Sequence, residues 1–209
     1  MSSNKVLLEA DRKVFQASFE DGLLDIFLAA FVLMFAVGPL LSVYLGDFWS
    51  SFIFLPFWGV LYLLLRWLRK QYVQPRLGRV TFGSIRKKKM RTATIILFVL
   101  NVIFLGLGLV SFFLPVGNWV LNSFRFGAIM LILFSVSGYF MDLPHLYIYG
   151  VLLALGMPVG EWLFQEGIAS HHGFPVVFGI ATGIIFLRGL YKFVTLMRTT
   201  PPPPEEQSV

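Results

Sequence analysis

Apolar residues in this chain do not alternate with polar residues but collect in long runs that short polar stretches separate. A helix needs roughly 20 mostly apolar residues to cross a bilayer. Runs of that length predict six spans, at about 22–45, 48–68, 92–114, 124–141, 145–164 and 174–196. The runs lack the period-two alternation of membrane β-barrel strands. The pattern therefore predicts an all-α fold, a polytopic bundle of six transmembrane helices.

The division between the fourth and fifth spans depends on one short interruption. The apolar signal from 124 to 164 is nearly unbroken, which is too long for a single crossing. The sequence Met141-Asp142-Leu143-Pro144-His145 supplies two polar side chains and a helix-breaking proline. Splitting the run there predicts a helical hairpin, and we expect Asp142 and His145 to cap each other in its turn rather than to relay a proton.

The distribution of basic residues tests this count independently, because Lys and Arg concentrate in the cytoplasmic loops of membrane proteins. With six spans and a cytoplasmic amino terminus, Arg125 is the one Lys or Arg that falls outside. With five spans, Arg188, Lys192 and Arg198 would fall outside as well. We therefore predict a multi-pass protein of the cell (plasma) membrane with both termini in the cytoplasm.

Composition agrees with a membrane location. Apolar residues form 57% of the chain and charged residues 13%, about half the charged fraction of soluble domains. The net charge of +6 comes from residues beside apolar runs, without a nucleic-acid-binding pattern, so we expect no nucleic-acid partner. The absence of cysteine excludes disulfides and thiolate metal sites.

Three segments lie outside the six predicted spans. Two of them flank the predicted membrane domain, residues 21–198, and one lies within it. Residues 1–20 are predicted to form a cytoplasmic amphipathic segment, either an interfacial helix or a partly ordered lead-in to the first span. Residues 69–91 are predicted to form a basic cytoplasmic loop. Residues 199–209, with four prolines followed by glutamates, are predicted to be a disordered tail.

The loop contains the sequence Pro75-Arg76-Leu77-Gly78-Arg79-Val80-Thr81-Phe82. This Pro-Arg-Leu-Gly-x-Val-x-Phe pattern resembles a loop of uncharacterised prokaryotic multi-pass membrane proteins. The Asp21-Gly22-Leu23 opening of the first span and the proline-glutamate tail are similar too, and the resemblance covers about a fifth of the chain. It implies a helical membrane fold and no particular activity.

The loop ends in a dense basic run, and we predict that it contacts anionic lipid head groups. Each such charge contributes about 1 kcal/mol near an anionic surface. The alternative is a charge block that only fixes the orientation of the chain. The predicted lipid-contacting residues are Arg86, Lys87, Lys88, Lys89 and Arg91.

Charged residues inside spans need a partner or a route to water. Arg125 lies eighteen residues before Leu143 and Glu161 eighteen after it, so antiparallel neighbours would bring the two side chains to the same height. We predict that Arg125 and Glu161 form a structural ion pair. We also predict that Asp25 contacts Arg188 and closes the bundle, the alternative being that Arg188 snorkels to the interface.

The sequence predicts no cofactor and no metal site. His171 and His172 come nearest to one, with Glu161 and Glu166 close in sequence, but adjacent histidines rarely aim at one ion. No nucleophile–base pair or phosphate-binding glycine loop is visible, which argues against an enzyme.

We therefore expect a non-catalytic accessory, scaffold or lipid- or partner-binding protein. The alternatives are a small oligomeric transporter or channel and, less favoured, an intramembrane enzyme. A continuous polar cavity reaching the middle of the bilayer would favour transport. The patterns Gly156-x-x-x-Gly160 and Gly179-x-x-x-Gly183 predict close helix approach, either within the chain or to a membrane-protein partner or second copy.

Overall fold

The computed structural model describes residues 19–77, 84–113 and 119–200. Nearly all of the predicted amino-terminal amphipathic segment and the tail from residue 201 lie outside these ranges. So do residues 78–83, which include the last five residues of the Pro75–Phe82 motif. Within the described ranges the chain forms helices and turns and no strand.

The helices are joined by short turns, with a π-helical turn at Arg69–Val73 and a 3-10 turn at His171–Gly173. We number the α-helices in chain order: α1 Leu23–Phe52, α2 Phe54–Leu68, α3 Gln74–Leu77, α4 Ser84–Phe113, α5 Trp119–Met141, α6 His145–Gln165 and α7 Phe174–Thr199.

Six stretches of the described chain are long and apolar enough to cross a bilayer. They are Leu23–Gly46, Phe48–Leu77, Arg86–Leu107, Val120–Met141, His145–Gln165 and Phe174–Thr199. The prediction of an all-α chain with six transmembrane helices is confirmed, including the break at Asp142. The chain is a multi-pass membrane protein.

A glycine separates the first two spans, and α1 is kinked at this position. Gly46 has φ 73° and ψ 166°, a conformation that glycine adopts readily because it has no side chain. Pro39 lies inside α1. The hydroxyl of Ser42 donates to the carbonyl oxygen of Pro39 at 3.0 Å, so this turn keeps a hydrogen bond.

The structure differs from the predicted 69–91 loop at both of its ends. Residues 69–77 continue the second span as π- and α-helix, and α4 begins at Ser84 rather than near Thr92. Arg, Lys, Gln and Met are strong helix formers, so the loss of apolar character does not end a helix. The basic run is therefore the first two turns of α4.

Two compact units make up the chain, one formed by Met1–Thr81 with Thr182–Val209 and the other by Phe82–Ala181. In the second unit α5 and α6 pack as an antiparallel hairpin around Leu143, which is 1% exposed. In the first unit Gly22, with φ 80°, lies against the backbone of Gly189 and Phe193. The beginning of α1 therefore packs directly on the second half of α7.

The two glycine patterns behave differently. A Cβ on Gly156 would lie 2.5 Å from Cε1 of Phe178, and one on Gly160 would lie 2.8 Å from Cδ1 of Phe174. Among the described atoms, nothing lies within 4 Å of such a Cβ on Gly179 or Gly183. The first pattern therefore allows α6 and α7 to approach closely, and the second leaves an open strip on α7.

We expect Gly156→Ala to destabilise the protein in detergent. The added methyl meets a Phe178 ring that is 1% exposed and packed against Phe126 and Phe174, so the ring has little room to move. Overpacking of this kind costs about 1–3 kcal/mol, more than the helix propensity gained from alanine. The matched control is Gly179→Ala, whose melting temperature should be unchanged or slightly higher. Equal melting temperatures for the two variants would contradict this packing.

Candidate anion-binding surface

The basic run is divided between two opposite faces of α4. Successive residues of an α-helix are rotated by about 100°, so Arg86 and Lys89 share one face while Lys87, Lys88 and Arg91 share the other. Arg86 is 7% exposed, whereas Lys87, Lys88 and Arg91 are all exposed. We call the last three residues the basic face.

The buried side of the run is held by a single carboxylate. Nη1 of Arg86 donates to Oδ2 of Asp142 at 2.5 Å, and Nζ of Lys89 donates to the same oxygen at 2.8 Å. Nη2 of Arg86 donates to the Met141 carbonyl at 3.2 Å. The Lys89 ammonium also lies 5.5 Å from the centre of the Tyr139 ring, a cation–π distance. These contacts fix the first turns of α4 to the turn between α5 and α6.

The backbone at Asp142 presents the carboxylate to α4. Asp142 has φ 55°, in the left-handed region that aspartate tolerates better than most residues. The next amide, that of Leu143, donates to the carbonyl of Gly138 at 3.1 Å and so ends α5. Burial opposes ionisation of Asp142, but the hydrogen bonds from Lys89 and Arg86 outweigh it and lower the pKa of this carboxyl below its ordinary value. The predicted mutual capping of Asp142 and His145 stays a prediction.

Two of the five residues predicted to contact lipid therefore have a protein partner, and three form the basic face. The sequence contained a signal for this division that the prediction did not use. Asp142 is the one acidic residue in the turn between the fourth and fifth spans, on the same predicted side of the membrane as the basic run. The helical phase of the run then decides which cations face it.

The basic face continues along α4 into an apolar stripe. Residues at the same angular position further along the helix are strongly exposed: Ile95 by 54%, Phe98 by 69%, Val102 by 52% and Leu105 by 66%. In a membrane protein such a stripe contacts acyl chains. The three cations thus lie at one end of an exposed apolar stripe, on the same face of α4.

On the opposite predicted side of the membrane, Glu161 has a histidine partner. Nδ1 of His172 lies 3.0 Å from Oε1 of Glu161, and the His172 ring lies 4.5 Å from the Phe164 ring and 5.7 Å from the Phe174 ring. Among the described side chains, which do not include that of His171, no group of three or more His, Asp or Glu residues is arranged to hold a metal ion.

The two predicted ion pairs stay predictions. Nη1 of Arg125 lies 3.4 Å from the side-chain oxygen of Asn122. Asp25 is 2% exposed, and a Cβ on Gly189 would lie 2.9 Å from its own Cβ. Asp25 therefore faces the backbone of α7 beside Arg188.

Two cavities lie along α1 and α2 in the first unit. One, of about 350 Å³, is at the start of α1 and the end of α2 and includes Asp21, Arg66 and Arg69 in its lining. The other, of about 370 Å³, is lined by aromatic and seryl side chains near Pro39 and Ser50.

An aromatic cluster borders both cavities, since Phe27 lines the first and Phe31 lines the second. The Trp58 ring is 5.2 Å from the Phe27 ring and 6.3 Å from the Phe31 ring. Its Nε1 also lies 3.0 Å from the sulfur of Met34. Packed side chains thus occupy the middle of this helix pair.

The chain matches no protein-family model, no curated protein and no solved structure.

Asp142→Asn should destabilise the protein, because the buried Arg86 guanidinium would lose its anionic partner. Removing one member of a fully buried pair costs about 3–5 kcal/mol, and the partial exposure of Asp142 lowers our expectation to about 1–3 kcal/mol. Thermal unfolding in detergent measures the difference. Glu166→Gln, which neutralises an exposed carboxylate, is the matched control. If Asp142→Asn had the same melting temperature as the wild type, the cluster would not hold α4.

The contribution of Asp142 to the stability of the folded protein should also depend on pH. Its pKa is lower in the folded chain than in the unfolded one, so the folded state binds this proton less tightly. The stabilisation is therefore complete above the unfolded pKa of about 4 and is lost as the pH falls through the lower folded value. The melting difference between the wild type and Asp142→Asn should be constant from about pH 5 to 8 and shrink below about pH 4. A difference that instead grows on acidification would contradict this assignment.

Proposed function

We propose that this chain is a non-catalytic membrane protein that binds anionic lipid head groups through the basic face of α4. In this proposal it is an accessory or scaffold protein of the plasma membrane, with both termini and the basic face on the cytoplasmic side. The observation that supports it most directly is the alignment of Lys87, Lys88 and Arg91 with the exposed apolar stripe below them. A lipid whose chains lie along the stripe brings its phosphate to these cations.

The Asp142 cluster supports the proposal because it fixes the rotation of α4. Without a partner on the opposite face, the first turns of a helix could rotate or fray and spread the five cations over many directions. Arg86 and Lys89 hold the helix through Asp142, so the three remaining cations are preorganised on one face. Preorganisation lowers the entropic cost of binding.

An accessory role implies a membrane partner, which is a further part of the proposal. The open strip at Gly179 and Gly183 has no described atom within 4 Å of an added Cβ. Small residues at this spacing allow a second transmembrane helix to approach closely. That helix would belong to another membrane protein or to a second copy of this chain.

A transporter is the second candidate, and the two cavities along α1 and α2 favour it. Trp58 contacts Phe27, which lines the first cavity, and Phe31, which lines the second. Among the described lining residues, the charged ones are Asp21, Arg66 and Arg69 of the first cavity. A solute would need this aromatic cluster to open. Both cavities are lined mostly by apolar groups, so the binding role is preferred.

The test is a triple variant, Lys87→Gln/Lys88→Gln/Arg91→Gln, measured by thermal unfolding in neutral detergent with added phosphatidylglycerol or phosphatidylcholine. Phosphatidylglycerol should stabilise the wild type more than phosphatidylcholine does. The variant should lose the part of this preference that the basic face supplies, about 3 kcal/mol from three charges at about 1 kcal/mol each.

The matched control, Lys70→Gln/Lys192→Gln/Arg198→Gln, removes the same charge from other positions on the predicted cytoplasmic side. It should keep the preference for phosphatidylglycerol. If the two triple variants respond alike, net charge alone determines lipid binding and the basic face is not a site.

A further inference from the structure

The cavity at the start of α1 differs from the basic face because it is a concave site with both apolar and charged walls. Leu24 and Phe27 of α1 and Leu65 of α2 provide apolar surface, and the guanidiniums of Arg66 and Arg69 lie at the charged end. Its volume of about 350 Å³ is at the lower end of the range for small-molecule sites, about 300–1,000 Å³. That is room for a head group and the first part of an acyl chain.

The charged end of the cavity is organised by contacts within the protein. Nε of Arg69 lies 4.0 Å from Oδ2 of Asp21, and its guanidinium lies 5.6 Å from the centre of the Phe19 ring. Oδ1 of Asp21 accepts a hydrogen bond from the backbone N–H of Leu23 at 3.0 Å. Asp21 is thereby fixed at the beginning of α1, and it in turn orients Arg69.

The balance of charge in the cavity favours an anion. Among the described lining residues, two guanidiniums accompany one carboxyl, and burial raises the pKa of Asp21, which makes its neutral form easier to reach. A guanidinium carries five donors in a planar fork, so it binds a carboxylate and a phosphate oxygen together. The cavity is therefore suited to a phosphate beside Asp21.

We propose that the α1–α2 cavity binds one anionic phospholipid, with its phosphate between Arg66 and Arg69 and the start of an acyl chain against Leu24, Phe27 and Leu65. The remainder of the lipid lies along the same face of α2, where Tyr62 is 58% and Leu55 is 64% exposed. This site is separate from the basic face and does not rest on the function proposed above. It holds a single molecule, whereas the basic face contacts a surface of head groups.

The experiment is native mass spectrometry of the full chain in neutral detergent, titrated with phosphatidylglycerol, phosphatidylcholine or water-soluble glycerol phosphate. We expect the first phosphatidylglycerol molecule to bind the chain more tightly than the molecules that bind after it. Arg66→Gln/Arg69→Gln should weaken this first binding at least about tenfold, because charge-assisted hydrogen bonds to the phosphate are lost. The matched control, Lys87→Gln/Lys88→Gln, removes equal charge from the basic face and should leave the first binding unchanged while weakening the later ones.

A cavity-filling variant tests the apolar half of the site. Leu24→Trp keeps both arginines but occupies the space of the acyl chain, so it should weaken the first binding by a similar factor. Its melting temperature and that of Arg66→Gln/Arg69→Gln are measured without lipid to confirm that both variants fold. The two variants change opposite ends of the cavity, so a folding defect in one leaves the other as the test.

Four results would overturn the proposal. The first is that Arg66→Gln/Arg69→Gln still binds one phosphatidylglycerol as tightly as the wild type does. The second is that Lys87→Gln/Lys88→Gln loses this tight binding. The third is phosphatidylcholine binding equal to that of phosphatidylglycerol, which would remove the role of the anion. The fourth is displacement of the lipid by equimolar glycerol phosphate, which would make the ligand a soluble phosphate compound rather than a lipid.

Discussion

A backbone that crosses a bilayer must satisfy its own hydrogen bonds, because acyl chains offer neither donors nor acceptors. The rest of this structure depends on that constraint. It turns each long apolar run into a helix and lets large side chains such as Phe98 and Ile148 remain exposed. It also moves polar contacts to helix ends, where water and head groups are near. The contacts of Asp21 with Arg69, Asp142 with Arg86 and Glu161 with His172 all lie close to the end of a span.

The Asp142 cluster shows how one carboxylate gives direction to a run of basic residues. Lys and Arg at a membrane boundary can fix topology without any further structure. Here the carboxylate engages the two cations on its own side of α4, and the helical period assigns the other three to the opposite face. The exposed apolar stripe lies below those three. The proposed lipid-binding role requires this alignment.

The sequence predicted much of the fold because hydrophobicity and helix-breaking residues act locally. The six spans and the break at Asp142 follow from apolar run length and Pro144. The end of the second span and the start of α4 do not follow from run length, because a change from apolar to basic residues leaves helix propensity high. The division of the basic run was missed because it needs the position of a carboxylate more than fifty residues away. The cavity beside Arg69 depends on the packing of α1 on α2, which no local pattern encodes.

The most direct test of this account is the side of the membrane that each end of the spans occupies. The chain has no cysteine, so Lys88→Cys and Ser170→Cys each introduce a single thiol at an exposed position. A membrane-impermeant maleimide should label the Ser170 position in intact cells and the Lys88 position only after permeabilisation. Labelling of the Lys88 position in intact cells, or of both positions from one side, would contradict the six-span arrangement and the cytoplasmic basic face.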